Sequence, residues 1–282
     1  MNPAPDISLI IAVFNKPEVL RLVLAACARQ SFSRFEIIIA DDGSGPAVRG
    51  VLDDAARRAL PVTQVWHEDR GWRKNVILNR AVRAARGAYL VFIDGDCIPA
   101  RDFLLDHWNE HEERRVLLGR RVETSERWSR ALTPEIIASG EFERFTWGTF
   151  RDSLSGRALR VEDGIRMRSR FVRRILLRSV TGMLGSNFSV AKSDLEAVNG
   201  FDELYDGPGC GEDSDVQFRL ALAGVTGKSL RNLAIQYHVW HPRARVSDAC
   251  WDRFAMVRRL GESRCLVGLE RLRRRDRAAA QP

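Results

Sequence analysis

Two carboxylates one residue apart, Asp94 and Asp96, follow directly on the apolar run YLVFI at residues 89–93. Hard divalent cations take carboxylate oxygens and keep water and phosphate as their other ligands. The intervening Gly95 permits close backbone approach. One carboxylate can hold a metal while the other reaches a ribose or a metal-bound water. The same tripeptide also reads as an acidic turn. Asp41-Asp42-Gly43-Ser44 carries a similar pair of readings: a turn by composition, or a carboxylate that accepts the N3–H of a uracil ring. Glu212 and Asp213 lie in GEDSD, ahead of a helical pattern. Acids there cap a helix and meet its dipole. Alternatively, a glycine-bent loop presents a general base, and neighbouring acids push each other's pKa values apart. His238 and His241 are two of the five histidines and fall in HVWH. They suit a metal or a packed interior. A carboxylate and imidazole set favours Mn2+ over Ca2+.

These groups need elements to position them. Residues 7–13 (ISLIIAV), 35–40 and 89–93 are apolar runs that predict buried strands, and residues 62–67 read as a further strand between the second and the last of them. Between them, residues 18–30, 48–58 and 72–85 have helical spacing, with Pro17 at the start of the first helix and Gly87 after the last. Alternation of this kind implies an α/β fold with a parallel sheet. Ligands of such sheets bind beyond the carboxyl ends of the strands. Phe14-Asn15, Asp41-Asp42 and Asp94-Asp96 all fall at such ends, so one crevice can hold all three. The second half is less regular. Helices are expected at residues 102–113, 194–198 and 214–223, and a strand at 234–239. Residues 120–160 read as loop-rich, and the tail from Arg271 as frayed.

The pieces SLIIAVFNKPEVLRLVLAACARQSFSRFEIIIADDGS, EDRGWRKNVILNRAVRAARGAYLVFIDGDCIP, GSNFSV and NGFDELYDGPGCGEDSDVQFRL together resemble the family 2 inverting nucleotide-sugar glycosyltransferases of the GT-A fold. The second half is also similar to the C-terminal module of galactosyltransferases and chondroitin-type polymerases. The resemblance implies a GT-A fold: a Rossmann-like, mostly parallel central sheet flanked by helices, in one large domain. It implies a nucleotide-sugar donor, usually UDP, a Mn2+ or Mg2+ cofactor, and a glycan or lipid-linked acceptor in surface polysaccharide assembly. Carried over by position, Ala12 and Phe14 line the uracil pocket and Asp42 meets uracil N3. Arg73 or Lys74 approaches the nucleotide. Asp94 contacts ribose or sugar, and Asp96 binds the metal with His241, and with His238 as a further ligand. Gly185, Ser186 and Asn187 lie near the donor sugar. Glu212 holds the acceptor, and Asp213 is the base. The chain departs from the family pattern at Phe14, where Tyr is frequent, and at Gly-Pro-Gly-Cys-Gly-Glu-Asp, one residue longer than Gly-Trp-Gly-Gly-Glu-Asp.

The expected organisation is a nucleotide-sugar half at residues 1–119, an acceptor and catalytic half at 120–245, and a helical tail at 246–282. Within residues 161–184, Arg166, Arg168, Arg170, Arg173, Arg174 and Arg178 interleave with apolar residues. That run reads as a solvated face packed on the core, or as a segment lying on an anionic membrane surface. Net charge is +8 and the isoelectric point is near 9.8, which favours phosphate, nucleic acid or anionic lipid. No helix-turn-helix, zinc-finger or RNA-recognition pattern accompanies the charge, so a nucleic-acid partner is not expected. A nucleotidyltransferase or phosphatase is the other enzyme class, but its phosphate loop and DxDxT start are missing. No uncharged apolar run reaches the roughly 18 residues of a membrane span, and no signal peptide is expected. The five cysteines are scattered, with no CxxC pair. No disulfide framework is expected from them, and the cytoplasm, with peripheral membrane association, is the compartment that fits.

Overall fold

A computed structural model describes residues 4–144, 147–169, 171–173, 181–242 and 251–270. The chain opens with β1 (Ile7–Val13), α1 (Pro17–Cys27), β2 (Phe35–Asp41), α2 (Pro46–Arg57), β3 (Val62–Trp66), α3 (Lys74–Ala84) and β4 (Tyr89–Asp94). This is the alternation that the apolar runs predict. There follow β5 (Cys97–Pro99), α4 (Phe103–Glu110), β6 (Arg115–Leu118) and β7 (Val122–Glu123). Short helices α5 (Glu126–Arg130), α6 (Pro134–Ser139) and α7 (Trp147–Leu154) come next. The chain then forms β8 (Phe188–Ala191), α8 (Lys192–Ala197), α9 (Glu212–Leu222), β9 (Thr226–Ser229), β10 (Gln236–His238) and α10 (Trp251–Leu260).

The central sheet has seven strands in the order β3-β2-β1-β4-β8-β6-β9. Pairs β1–β2, β2–β3, β1–β4 and β6–β9 are parallel, while β8 runs antiparallel to β4 and β6. Alternate residues of one strand serve two cores. Leu9, Ile11, Ile37, Ile39 and Val91 pack with α1 and α2 on one face. Ile10, Ile38, Leu90 and Phe92 pack with α3 and α9 on the other. Burial on both faces is why these strands are continuously apolar rather than alternating.

A second sheet, β5-β10-β7, has three strands. Its register sets His238 opposite Cys97 and beside Glu123. It therefore folds the HVWH segment back over the residues that follow β4. No helix among the described residues is long and apolar enough to cross a membrane.

Several second-half elements differ from the sequence expectation. Strands β5, β6, β8 and β9 carry no usable pattern of their own, being four residues or fewer. The stretch TGKS becomes a strand because it pairs in register with Arg115–Leu118. Residues 120–160 hold helices with ordinary caps: Ser125 accepts from Trp128 N–H and Thr133 from Ile136 N–H. Helix α9 begins at Glu212, so the acidic pair lies in its first turn rather than in a loop.

The arginine-rich run is not a uniform lipid-facing surface. Arg166 pairs with Asp102 and Asp106, and Arg173 with Glu110 at 2.9 Å. These two guanidinium groups tie the segment to α4. Arg170, Arg174 and Arg178 lie outside the described residues, as does the tail from residue 271. Cys27, Cys97 and Cys265 are free thiols, but Cys210 is disulfide-bonded, which the cysteine spacing did not suggest.

Candidate active site

The carboxyl ends of β1, β2 and β4 form one edge of a cavity of about 590 Å³ lined by Ala12, Phe14, Asp42, Trp72, Lys74, Asp94 and Asp96. A second cavity of about 770 Å³ contains Arg121, Glu123, Gly185, Glu212, Asp213, His238 and His241. The two share Lys74, Asp94, Asp96 and Pro208. They are two lobes of one crevice that meet at the paired aspartates.

Each acidic turn divides its labour. Asp41 is buried, accepting from Ser44 N–H at 2.8 Å and from Gln64 at 2.7 Å. It shapes the turn. Asp42 faces the first lobe, and its two oxygens meet His67 Nε2 at 2.6 Å and Arg73 N–H at 2.9 Å. Phe14 is 51% exposed over this lobe. The adjoining Asn15 and Lys16 both have left-handed backbones, with φ 55° and 56°. That conformation costs energy for non-glycine residues. Asn15 is held in it by N–H donation to Ser44 Oγ at 2.7 Å.

Asp94 Oδ1 accepts from Lys74 at 2.5 Å. Burial pulls the Lys74 ammonium down, but Asp94, Asp213 and Glu212 more than offset that and hold it above its usual range. Asp96 points the other way. His241 Nε2 lies 3.3 Å and Lys16 Nζ 3.2 Å from its Oδ2, and His238 Nε2 lies 3.5 Å from its Oδ1. Burial opposes the charge on Asp96, yet His241, His238 and Lys16 together keep its carboxyl well below the usual range.

Asp96, His238 and His241 place one ligand atom each within 4.8 Å of one another. His238 Nδ1 is bound to Glu123 Oε2 at 2.7 Å, which leaves Nε2 turned toward Asp96. A carboxylate on the far nitrogen is the usual support of a metal-binding imidazole. The group therefore fits a divalent cation with mixed oxygen and nitrogen donors. The ammonium of Lys16 sits on Asp96 Oδ2, the oxygen that His241 Nε2 also faces.

Across the crevice, Asp213 occupies the first turn of α9. Gly185 N–H donates to its Oδ2 at 2.8 Å. A Cβ on Gly185 would stand 2.2 Å from Asp213 Oδ1, so only glycine leaves room for the carboxylate. Burial pushes Asp213 up to about 6, with Glu212 and Asp94 adding to the rise and Lys74 and Gly185 N–H opposing it. Glu212 Oε1 accepts from Gly209 N–H at 3.1 Å, while its Oε2 is buried without a hydrogen-bond partner.

Two sequence-derived residues are placed differently from the rest. Asn187 is fully buried and donates to Arg120 C=O at 2.6 Å and Ala234 C=O at 2.9 Å. It braces the wall behind the crevice and does not line it. Arg73 contributes its backbone N–H, and Lys74 is the cation that lines the lobe. Sequence reasoning missed Lys16, His67, Arg121 and Glu123. The available signal for the last two was the alternation Arg121-Val122-Glu123, which puts both polar side chains on one side of an extended segment. Arg121 bonds Glu123 at 2.8 Å and Ser186 Oγ at 3.2 Å.

Residues 8–176 match glycosyl transferase family 2, and residues 176–242 match the N-terminal domain of galactosyltransferase. Among curated proteins, the glycosyltransferase EpsH of Bacillus subtilis is 32% identical over 92 residues, 33% of this chain and 26% of EpsH. Chondroitin synthase of Escherichia coli is 28% identical over 94 residues, 33% of this chain and 14% of the synthase. The matched stretch thus spans about a quarter of EpsH and about a seventh of the synthase. Among solved structures, the mannosyltransferase PcManGT of Pyrobaculum calidifontis, in complex with GDP-Man and Mn2+, aligns with a TM-score of 0.56 at 17% identity. It covers 91% of this chain and 61% of that one. TarS of S. aureus (residues 1–349), in complex with UDP, aligns with a TM-score of 0.57 at 16% identity, covering 94% and 68%. These likenesses establish the GT-A fold.

Proposed function

Because the chain belongs to glycosyl transferase family 2, we propose that its two lobes bind a nucleoside-diphosphate sugar and a hydroxyl acceptor, and that Asp213 joins them by inverting transfer. The observation that carries this reading is the meeting of the lobes at Asp94 and Asp96, with a carboxyl raised to about 6 on the far side.

The lobe under Phe14 takes the nucleotide. Each oxygen of Asp42 already accepts one bond and keeps a lone pair free for a base N–H. Uracil N3–H fits that need, so a UDP-sugar is the expected donor. Lys74 and Asp94 face the ribose and sugar. Asp96, His241 and His238 hold the cation, Mn2+ ahead of Mg2+ on donor chemistry. A bound cation supplies neutralisation of the charge that gathers on the departing diphosphate.

The second lobe takes the acceptor, a glycan or lipid-linked glycan of the kind used in polysaccharide assembly. Glu212, with one oxygen unpartnered, accepts from an acceptor hydroxyl. Asp213 removes the proton from the attacking hydroxyl, and that oxygen meets the anomeric carbon on the face opposite the diphosphate. Holding both substrates at one junction supplies the orientation that a bimolecular reaction lacks.

The test is a screen of nucleotide sugars for Mn2+-dependent hydrolysis, paired with calorimetry of UDP. Hydrolysis of one donor names the sugar. Absence of UDP binding in the presence of Mn2+ would count decisively against the assignment of the first lobe.

A further inference from the structure

A third cavity, of about 370 Å³, opens off the second lobe and shares Arg121, Glu123, Leu159 and Leu184 with it. It shares no lining residue with the lobe beneath Phe14, so a donor diphosphate at Asp94 and Asp96 is not its occupant. Its wall carries Arg120, Arg121 and Arg160 against a single acid, Glu123. That acid is already bound to Arg121 at 2.8 Å and His238 at 2.7 Å.

Arg120 and Arg160 have no carboxylate of their own among the described residues. Arg120 Nη1 donates only to neutral carbonyls, Gly119 at 2.9 Å and Gly182 at 3.0 Å. Those bonds fix the guanidinium in place without cancelling its charge. Burial, Arg160 and Arg231 all disfavour that charge, and Asp163 only partly relieves it. Neighbouring Arg231, by contrast, has Asp163 at 2.7 Å and Glu162 at 3.5 Å. Arg160 rises from a left-handed backbone with φ 57°. It directly follows Leu159, which exchanges both backbone hydrogen bonds with Glu123, at 2.9 and 3.0 Å. Like charges are thus gathered in a concave wall, with Arg120 fixed in it, which costs the folded state energy and focuses a positive field.

We propose that this pocket binds an oxyanion carried by the acceptor glycan, a phosphate, diphosphate or carboxylate, and so sets the register of the acceptor hydroxyl on Asp213. The inference rests on the glycosyltransferase reading and names the class of its acceptor. A guanidinium presents two parallel N–H donors to such a group, which an ammonium does not. Leu159, 44% exposed, supplies an apolar strip between the oxyanion and the reacting end.

The experiment uses the full chain with Mn2+ and UDP saturating, so that the donor lobe is filled. Calorimetry then measures four probes: a uronic-acid disaccharide, a polyprenyl-diphosphate disaccharide in detergent, the neutral disaccharide in the same detergent, and inorganic phosphate. One anionic glycan is expected to bind at least about tenfold more tightly than the neutral one, and which of the two does so identifies carboxylate or diphosphate as the source. Arg160→Gln and Arg120→Gln should each remove most of that preference, with Arg120→Lys restoring part of it. Arg160→Gln alters an exposed side chain, so it remains informative if Arg120→Gln fails to fold. Equal binding of neutral and anionic glycans, a preference that survives both substitutions, or a response to inorganic phosphate alone (an adventitious ion only) overturns the proposal. Mn2+-dependent UDP binding by the unsubstituted chain tests the glycosyltransferase reading separately.

Discussion

The two halves of the crevice are built by different means. The first lobe hangs from β1, β2 and β4, strands of six or seven residues buried on both faces. The second lobe is assembled from pieces of two to four strand residues and a helix N-terminus. Where strands are long, apolar packing alone fixes where Asp42 and Asp94 emerge. Where they are short, buried polar groups take over: Asn187 on two carbonyls, Gln236 on Ser186 C=O at 2.7 Å, and Arg219 on Asp215 at 2.6 Å beneath the first turn of α9. The pair Asp202 and Arg253 ties the loop before α9 to α10. The half with the weaker apolar scaffold holds the proposed base and most of the imidazole, so placing charge there depends on hydrogen bonds.

That contrast is broken most directly at Asp213. Asp213→Asn keeps the shape and the Gly185 seat but removes the proton acceptor. Turnover should fall by about 10²–10⁴-fold, while UDP and Mn2+ affinities stay within about twofold. Steady-state kinetics and calorimetry on one preparation decide it. Turnover within a few-fold of the starting protein returns Asp213 to a structural role.

The same contrast explains what could be read in advance. Strands β1, β2 and β4 were legible because double burial writes an uninterrupted apolar run, and their ends located Asp42, Asp94 and Asp96, whereas β3 is a partly exposed edge strand carrying Thr63 and Gln64. The acidic pair and HVWH were visible as composition, and resemblance gave them roles. Strands such as TGKS were not legible, since their pairing partner lies more than a hundred residues away and local preference says nothing of it. Asn187 was misplaced for a related reason. Its motif neighbours Gly185 and Ser186 line the crevice, but a bend turns the amide inward onto Arg120 and Ala234.

A core substitution sharpens the difference in the first half. Phe92 stacks on Phe188, with centroids 4.5 Å apart, and meets Phe201 edge-on at 5.4 Å. Phe92→Ala should cost about 3–5 kcal/mol of stability. Asn187→Ala in the second half, which strips this donor from the buried Ala234 carbonyl and the part-buried Arg120 carbonyl, should cost about 1–3 kcal/mol. Chemical denaturation measures both. A larger loss at Asn187 would mean that the polar framework, not the sheet core, dominates the fold.

Glu123→Gln probes the carboxylate behind His238, its neighbour in the second sheet. His238 and Arg121 help hold the Glu123 carboxyl down at about 2 against the effect of its burial, so it carries full charge behind the His238 ring. Removing that charge should weaken Mn2+ binding by about 10–100-fold, read by calorimetry without any sugar donor. Unchanged Mn2+ affinity would remove His238 from the cation site and leave Asp96 and His241.

The smallest expected effect reads Asp213 through stability rather than turnover, in the ligand-free protein. An unfolded aspartate loses its proton near its ordinary value of 3.8, whereas folded Asp213 keeps it until about 6. Its contribution to stability is therefore fully present below about pH 4 and is lost as the pH rises through 6. An asparagine in its place does not titrate. The melting temperature of Asp213→Asn relative to the starting protein should accordingly climb between pH 4 and 6 and level off above 7, by on the order of a few degrees for a chain of this size. A difference that falls over the same interval would mean that attraction to Lys74 outweighs burial and repulsion from Glu212 and Asp94. Asp213 would then be a stabilising ion-pair partner, ionised well below neutrality and too weakly basic for proton removal. A rising difference instead marks a carboxyl kept in the second lobe at a cost to the fold, as a group poised for proton transfer requires.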